Sequence, residues 1–152
     1  MSGQTSSIRS MVSGDLEAVQ RIATTNSVNP WTTEMFQKEM GNPLSHCYVI
    51  ENGKGSGDSV LGFLCFRVIG EESELLNLGI HPEHRKQGWG RALMDFYHRF
   101  CWEAKVKTSY LEVDGSNRPA LHLYESLSYQ AVGKRKGFYQ GTRDALVLKR
   151  EV

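Results

Sequence analysis

The chain is poor in the residues that build several classes of protein. It has three cysteines in 152 residues. Cys47, Cys65 and Cys101 are odd in number and far apart, so they suggest neither a disulfide scaffold nor a zinc site. Each sits in an apolar or aromatic neighbourhood and reads as a small buried hydrophobe. No apolar run reaches the roughly 20 residues that cross a bilayer. The polar start MSGQTSS lacks a basic-then-apolar signal pattern. Excess charge is missing too: the net charge is +1, which gives no field to gather nucleic acid or an anionic membrane. His81, His84 and His98 have no ligand spacing, so no metal is expected. Repeats and low-complexity linkers are absent, and the length suits one domain over residues 1–152. These absences lead to an expectation of a reducing, cytoplasmic setting.

What is present is a regular alternation of elements. Ile8–Val12 is a strand candidate, and Ser13-Gly14-Asp15 starts a helix bearing Leu16, Val19, Ile22 and Ala23. Thr32 or Thr33 can cap a second helix with Met35, Phe36 and Met40. His46–Glu51 and Val60–Gly70 read as strands joined by a glycine-rich turn, with Ser73–Ile80 as a third. A helix over Gly88–Ala104 carries Trp89, Ala92, Leu93, Phe96, Tyr97, Phe100 and Cys101 on one stripe. A short buried strand, Ser109–Val113, and a helix, Pro119–Leu127, follow, and two strands close the chain. The order β-α-α-β-β-β-α-β-α-β-β predicts a mixed α/β (α+β) fold. Helices would flank a mostly antiparallel sheet with one parallel step.

The stretch HPEHRKQGWGRALM, His81 to Met94, sets a basic glycine turn before a helix. Glycine lets the backbone approach a ligand, and the helix start offers unpaired N–H groups with the positive dipole end behind them. Such a turn holds anions, phosphate above all. Arg85, Lys86 and Arg91 could add charged contacts. A nucleotide-triphosphate loop needs Lys-Ser/Thr where this chain has Arg91-Ala92. A dinucleotide fingerprint needs a small residue where it has Leu93. A solvated structural turn is the remaining alternative. Gly79, inside a strand just before the turn, suggests a bulge or a close backbone approach.

Arg85-Lys86-Gln87-Gly88-Trp89-Gly90 resembles the pyrophosphate turn of the GNAT N-acetyltransferases, and the element order resembles theirs over nearly the whole chain. Four further segments resemble the RimI-type ribosomal-protein-alanine N-acetyltransferases. They are Pro30-Trp31-Thr32 with Phe36, Asn77 to Pro82, Leu111 to Asn117, and Ala120 to Leu127. The chain departs from their pattern at Asp114, where Arg is usual, and at Ser128-Tyr129, where Gly-Phe is usual. Its final hairpin also looks shorter.

The resemblance implies a GNAT fold and acetyl-coenzyme A as co-substrate. Its pyrophosphate would lie on Arg85, Lys86, Gln87, Gly88, Trp89, Gly90 and Arg91, and its pantetheine arm along Leu78, Gly79 and Ile80. It implies transfer to a protein N-terminal α-amine, that of the alanine-starting eighteenth small-subunit ribosomal protein. Glu112, ending a buried strand, is the candidate general base, with helix capping or pairing to Arg118 as the structural alternative. Tyr124 is the candidate proton donor to the leaving thiolate, with a half-buried core tyrosine as the alternative. Asn117 would bond the coenzyme arm or cap a helix. A backbone N–H near Ile80 is the oxyanion candidate. Trp31, Phe36, Phe138 and Tyr139 are candidates for the acceptor groove, with core or hairpin packing as the alternative. A small-amine acetyltransferase and a non-catalytic coenzyme A-binding module remain as competing functions.

Overall fold

The computed structural model describes residues 7–26, 30–53, 59–139 and 143–152, and of residues 136–139 and 143 the backbone only. Seven strands form one sheet in the order β1-β2-β3-β4-β5-β7-β6. They are β1 (Ser7–Ser10), β2 (Ser45–Glu51), β3 (Val60–Ile69), β4 (Glu72–Ile80), β5 (Thr108–Asp114), β6 (Gln130–Tyr139) and β7 (Arg143–Glu151). The helices are α1 (Leu16–Asn26), α2 (Thr33–Met40), α3 (Trp89–Glu103) and α4 (Arg118–Ser126). The expected element order holds throughout. β4 and β5 supply the single parallel pairing among the described residues.

Two apolar clusters lie on the two faces. On one, Leu16, Val19, Ile22 and Ala23 of α1 and Phe36 of α2 pack on Val49, Phe63 and Cys65. On the other, Leu93, Met94, Tyr97 and Cys101 of α3 and Tyr124 of α4 pack on Leu64, Phe66, Leu75, Leu111 and Val113. Covered on both faces, β3 is buried from Val60 to Phe66. That is why it reads as a near-continuous apolar run and not as an alternation. β5 is covered less evenly and does alternate: Ser109, Leu111 and Val113 are buried, while Tyr110, Glu112 and Asp114 are half-buried.

Local chemistry sets the element ends. Thr32 caps α2, its hydroxyl accepting from Met35 N–H at 3.2 Å. Arg9 of β1 donates to Asp15 at 2.9 Å and Glu51 at 3.0 Å, tying β1 to the turn before α1 and to β2. Arg67 of β3 holds Glu39 of α2 at 2.7 Å.

The bulge is not at Gly79. β3 and β4 pair Phe66 with Leu75 but Cys65 with Asn77, so Leu76 is the extra residue. Gly79 is regularly paired with Phe63. Its glycine has another cause: a Cβ there would lie 2.5 Å from the Phe63 ring and 3.2 Å from Ile22.

Candidate active site

The bulge sits where the sheet opens. β4 pairs with β5 only from Glu72↔Thr108 to Leu75↔Leu111. Beyond that, β4 runs on to Ile80 and β5 to Asp114 without a shared ladder, so the two strands form a fork. His81 N–H bonds Leu61 C=O at 2.8 Å. Antiparallel bonds join directly opposite residues at every second position. Gly79 and His81 therefore bond toward β3, and Leu78 and Ile80 turn their N–H groups into the fork. Ile80 C=O already accepts from Asn26 and Arg85, each at 3.3 Å.

The glycine turn lies at the open end. A short 3-10 turn over Pro82–His84 leads into it. Lys86 has φ 63° and Gly88 φ 90°, both left-handed. Gly88 is the N-cap of α3 and offers no capping side chain. The first intrahelical bond runs from Ala92 N–H to Gly88 C=O at 3.0 Å. The N–H groups of Trp89, Gly90 and Arg91, ahead of it, point out of the helix start. Among the described residues, nothing beyond the adjoining chain lies within 4 Å of a Cβ built at Gly88, while one at Gly90 would face Leu123 of α4 at 3.6 Å and Ile80 at 3.8 Å. The helix start, the end of β4 and α4 thus converge around an uncapped set of donors suited to a phosphate.

The basic side chains do not converge there as expected. Arg85 reaches back to Thr25, donating to its C=O at 3.3 Å and its hydroxyl at 3.2 Å. Arg91 donates to Ser126 of α4 at 2.6 Å. Both brace the turn against a neighbouring helix. Gln87 accepts from Trp89 Nε1 at 3.0 Å. Lys86 is exposed.

Glu112 and Tyr124 lie on opposite faces of the sheet. Leu111 and Val113 point into the cluster containing Tyr124, so Glu112 between them points the other way. Glu112 is not buried as expected. Its side chain is 27% exposed and accepts from Arg135 of β6 at 2.7 Å. Arg135, and not Arg118, is its partner, because β7 sets β6 one strand away from β5. On the same face a cavity of about 370 Å³ is lined by Ile69, Glu72, Glu74, Tyr110, Glu112 and Val147.

Tyr124 is 7% exposed, with its ring 5.8 Å from that of Tyr129. Asn117 caps α4, accepting from Ala120 N–H at 3.2 Å. Phe36 is corrected from groove to core: it is fully buried, 5.3 Å edge-on from Phe63. Trp31, half-buried, packs on it at 5.1 Å. The backbone of Tyr139 pairs with Arg143, but the side chains of Phe138 and Tyr139 lie outside the described residues.

Two features escaped the sequence reading. One is Arg135, whose place in the alternation of β6 was a usable signal. The other is a buried chain of hydroxyls. His98 Nε2 meets Tyr129 Oη at 2.9 Å, Tyr129 meets Ser109, Ser109 meets Tyr97, and Tyr97 meets Ser73, each at 2.8 Å. Burial, with the charge of Arg150 adding, pushes His98 down to about 4, so it is neutral there. Tyr129 occupies one of the two departures from the family's Gly-Phe, and its hydroxyl is the extra atom that closes this chain.

A forked mixed sheet with an uncapped glycine helix start at the fork's mouth forms a cleft for a phosphate-bearing ligand lying along β4. The acetyltransferase (GNAT) family model matches residues 16–129, and the chain belongs to that family. It is an acetyl-coenzyme A-dependent N-acetyltransferase. It is 30% identical over 144 residues to the [ribosomal protein bS18]-alanine N-acetyltransferase of Escherichia coli K12, covering 93% of this chain and 94% of that one. It is 32% identical over 128 residues to the N-alpha-acetyltransferase RimI of Mycobacterium tuberculosis, covering 81% and 77%. The crystal structure of the E. coli ribosomal-protein-S18-alanine enzyme superposes with a TM-score of 0.87 at 26% identity, over 97% of this chain and 94% of that one. No helix among the described residues is long and apolar enough to cross a membrane.

Proposed function

We propose that residues 1–152 act as one domain that acetylates the α-amine of a protein N-terminus. The acceptor is the alanine-starting eighteenth protein of the small ribosomal subunit. The names of the E. coli and M. tuberculosis relatives support this acceptor class. The observation that carries the mechanism is the fork, with Glu112 on one face and Tyr124 on the other.

Acetyl-coenzyme A lies along Leu78, Gly79 and Ile80, with its pyrophosphate on the N–H groups that follow Gly88. The acceptor enters from the Glu112 face, past Trp31 and the β6–β7 hairpin that carries Tyr139. An ammonium has no lone pair, so Glu112 takes its proton, directly or through water. The amine attacks the thioester carbonyl. The developing oxyanion is met by a backbone N–H at Leu78 or Ile80. Tyr124 gives its proton to the departing thiolate. Arg85 and Arg91 act as braces of the turn, and Asn117 as the cap that sets α4 and hence Tyr124.

A second reading has one observation in its favour. Glu72 and Glu74 join Glu112 around the acceptor-side cavity, which suits a polyamine. Arg67 acts on Glu74 and Lys149 on Glu72, which offsets part of that charge. The test offers an Ala-Arg-starting peptide and a polyamine mixture with acetyl-coenzyme A. Thiol release and product masses are followed. Acetylation of the peptide α-amine supports the proposal; transfer to polyamines alone overturns it.

A further inference from the structure

Two of the three cysteines face each other across the β2–β3 ladder, outside the proposed site. Cys47 and Cys65 are register partners. Val68 N–H bonds Leu44 C=O at 3.0 Å, which sets the bonded pairs of this ladder at 44↔68, 46↔66 and every second position beyond. Cys47↔Cys65 therefore falls at a non-bonded position. The outer edge agrees: Cys47 C=O accepts from Met11 N–H of β1 at 2.9 Å, so its backbone bonds toward β1 and not β3. Non-bonded antiparallel pairs bring their Cα atoms to about 4.5 Å with side chains on one face. That lies within the roughly 4.4–6.8 Å a disulfide accepts.

The two thiols differ in setting. Cys65 is fully buried, whereas Cys47 is partly exposed at the edge of the same cluster. The Cys65 thiol bonds the Cys47 sulfur, which lowers the Cys47 pKa. The same bond, with burial, raises that of Cys65. Glu39 nearby opposes the thiolate at both. Cys101 is buried on the other face of the sheet, in the α3 cluster, and cannot join them.

We infer that Cys47 and Cys65 form a thiol–disulfide site, oxidised by peroxides, that staples β2 to β3 beneath α2. Cys47 thiolate attacks one peroxide oxygen. The O–O bond breaks, hydroxide leaves, and Cys47 becomes the sulfenic acid. Cys65 then attacks the Cys47 sulfur, the S–O bond breaks, and hydroxide leaves with the Cys65 proton as water. Two thiols have lost two electrons, and the peroxide has become two waters.

The test uses the full-length chain. It is treated with hydrogen peroxide, its free thiols are capped with a maleimide, and intact and peptide masses are read. The expected result is a fall from three capped thiols to one, on Cys101, with a peptide linking Cys47 to Cys65. Dithiothreitol should restore all three. In Cys65→Ser, Cys47 should pass to the sulfinic acid and form no intrachain link. The inference is overturned if the unsubstituted chain keeps three thiols while Cys47 in Cys65→Ser is oxidised. It is equally overturned if Cys47 reaches the sulfinic acid with Cys65 still free, or if the link joins two chains.

Discussion

At the scale of single residues, Glu112 and Gly79 are held by different forces and fail in different ways. Glu112 is partly exposed and gripped by Arg135. Glu112→Gln keeps the size and a hydrogen bond to Arg135 but removes the proposed base. Its kcat should fall by roughly 10²–10⁴-fold, with acetyl-coenzyme A affinity changed less than about twofold, because nothing on the turn is touched. Stopped or initial-rate kinetics beside a binding titration would check this. An unchanged rate takes Glu112 out of the mechanism. Arg135→Gln leaves the carboxylate in place but frees its orientation, so it should cost less than the loss of Glu112 itself. Gly79→Ala is a packing fault. Its Cβ would meet the buried Phe63 ring at 2.5 Å, and overpacking of this kind costs about 1–3 kcal/mol. Denaturant midpoints should report it.

Among the elements, α4 and its exit illustrate what a departure from a family pattern does. Ser128 follows α4 at φ 71°, where the family has glycine. A left-handed conformation costs a residue with a Cβ about 1–2 kcal/mol. Ser128→Gly should recover part of that, raising stability by roughly 0.5–1 kcal/mol in chemical denaturation. Tyr129 departs in the opposite sense: its hydroxyl joins His98 on α3 to Ser109 on β5. The burial of His98 makes stability pH-dependent. His98 titrates near 4 in the fold and near 6.5 in an unfolded chain. Well above pH 6.5 it is neutral in both states. As pH falls toward 4 the unfolded chain gains a proton that the folded chain refuses, so stability drops. After a discount for its partial exposure, the drop is about 2 kcal/mol. His98→Gln should flatten this part of the stability curve, measured by urea unfolding at pH 7 and pH 4.5. An equal slope in both proteins would assign the pH dependence to other groups.

For the whole molecule, the parts legible in the sequence were those set by local rules. The helix stripe from Trp89 to Cys101, the Thr32 cap, the glycine turn and the element order depend on spacing alone, and all are present. The parts that were not legible depend on which strands become neighbours. Leu76 is bulged where the β4–β5 ladder ends. Arg135 reaches Glu112 because β7 inserts between β5 and β6. Phe36 is buried because Phe63 lies under α2. No spacing along the chain encodes those meetings.

The proposed coenzyme site depends on the same neighbour relations. It would draw on β4, the start of α3 and α4, three segments well separated in sequence. A ligand held by all of them and by no single segment binds the folded chain and not the unfolded one. Acetyl-coenzyme A at about 100 times its Kd should therefore stabilise the fold by about 2.7 kcal/mol. For a chain of this length that raises Tm by roughly 5–10 °C. Glu112→Gln should keep the full shift, because it lies on the proposed acceptor face. Gly88→Ala should lose most of it, because its φ of 90° strains a Cβ-bearing residue at the helix start. A shift that survives Gly88→Ala and vanishes in Glu112→Gln would reverse the assignment of the two sides of the fork.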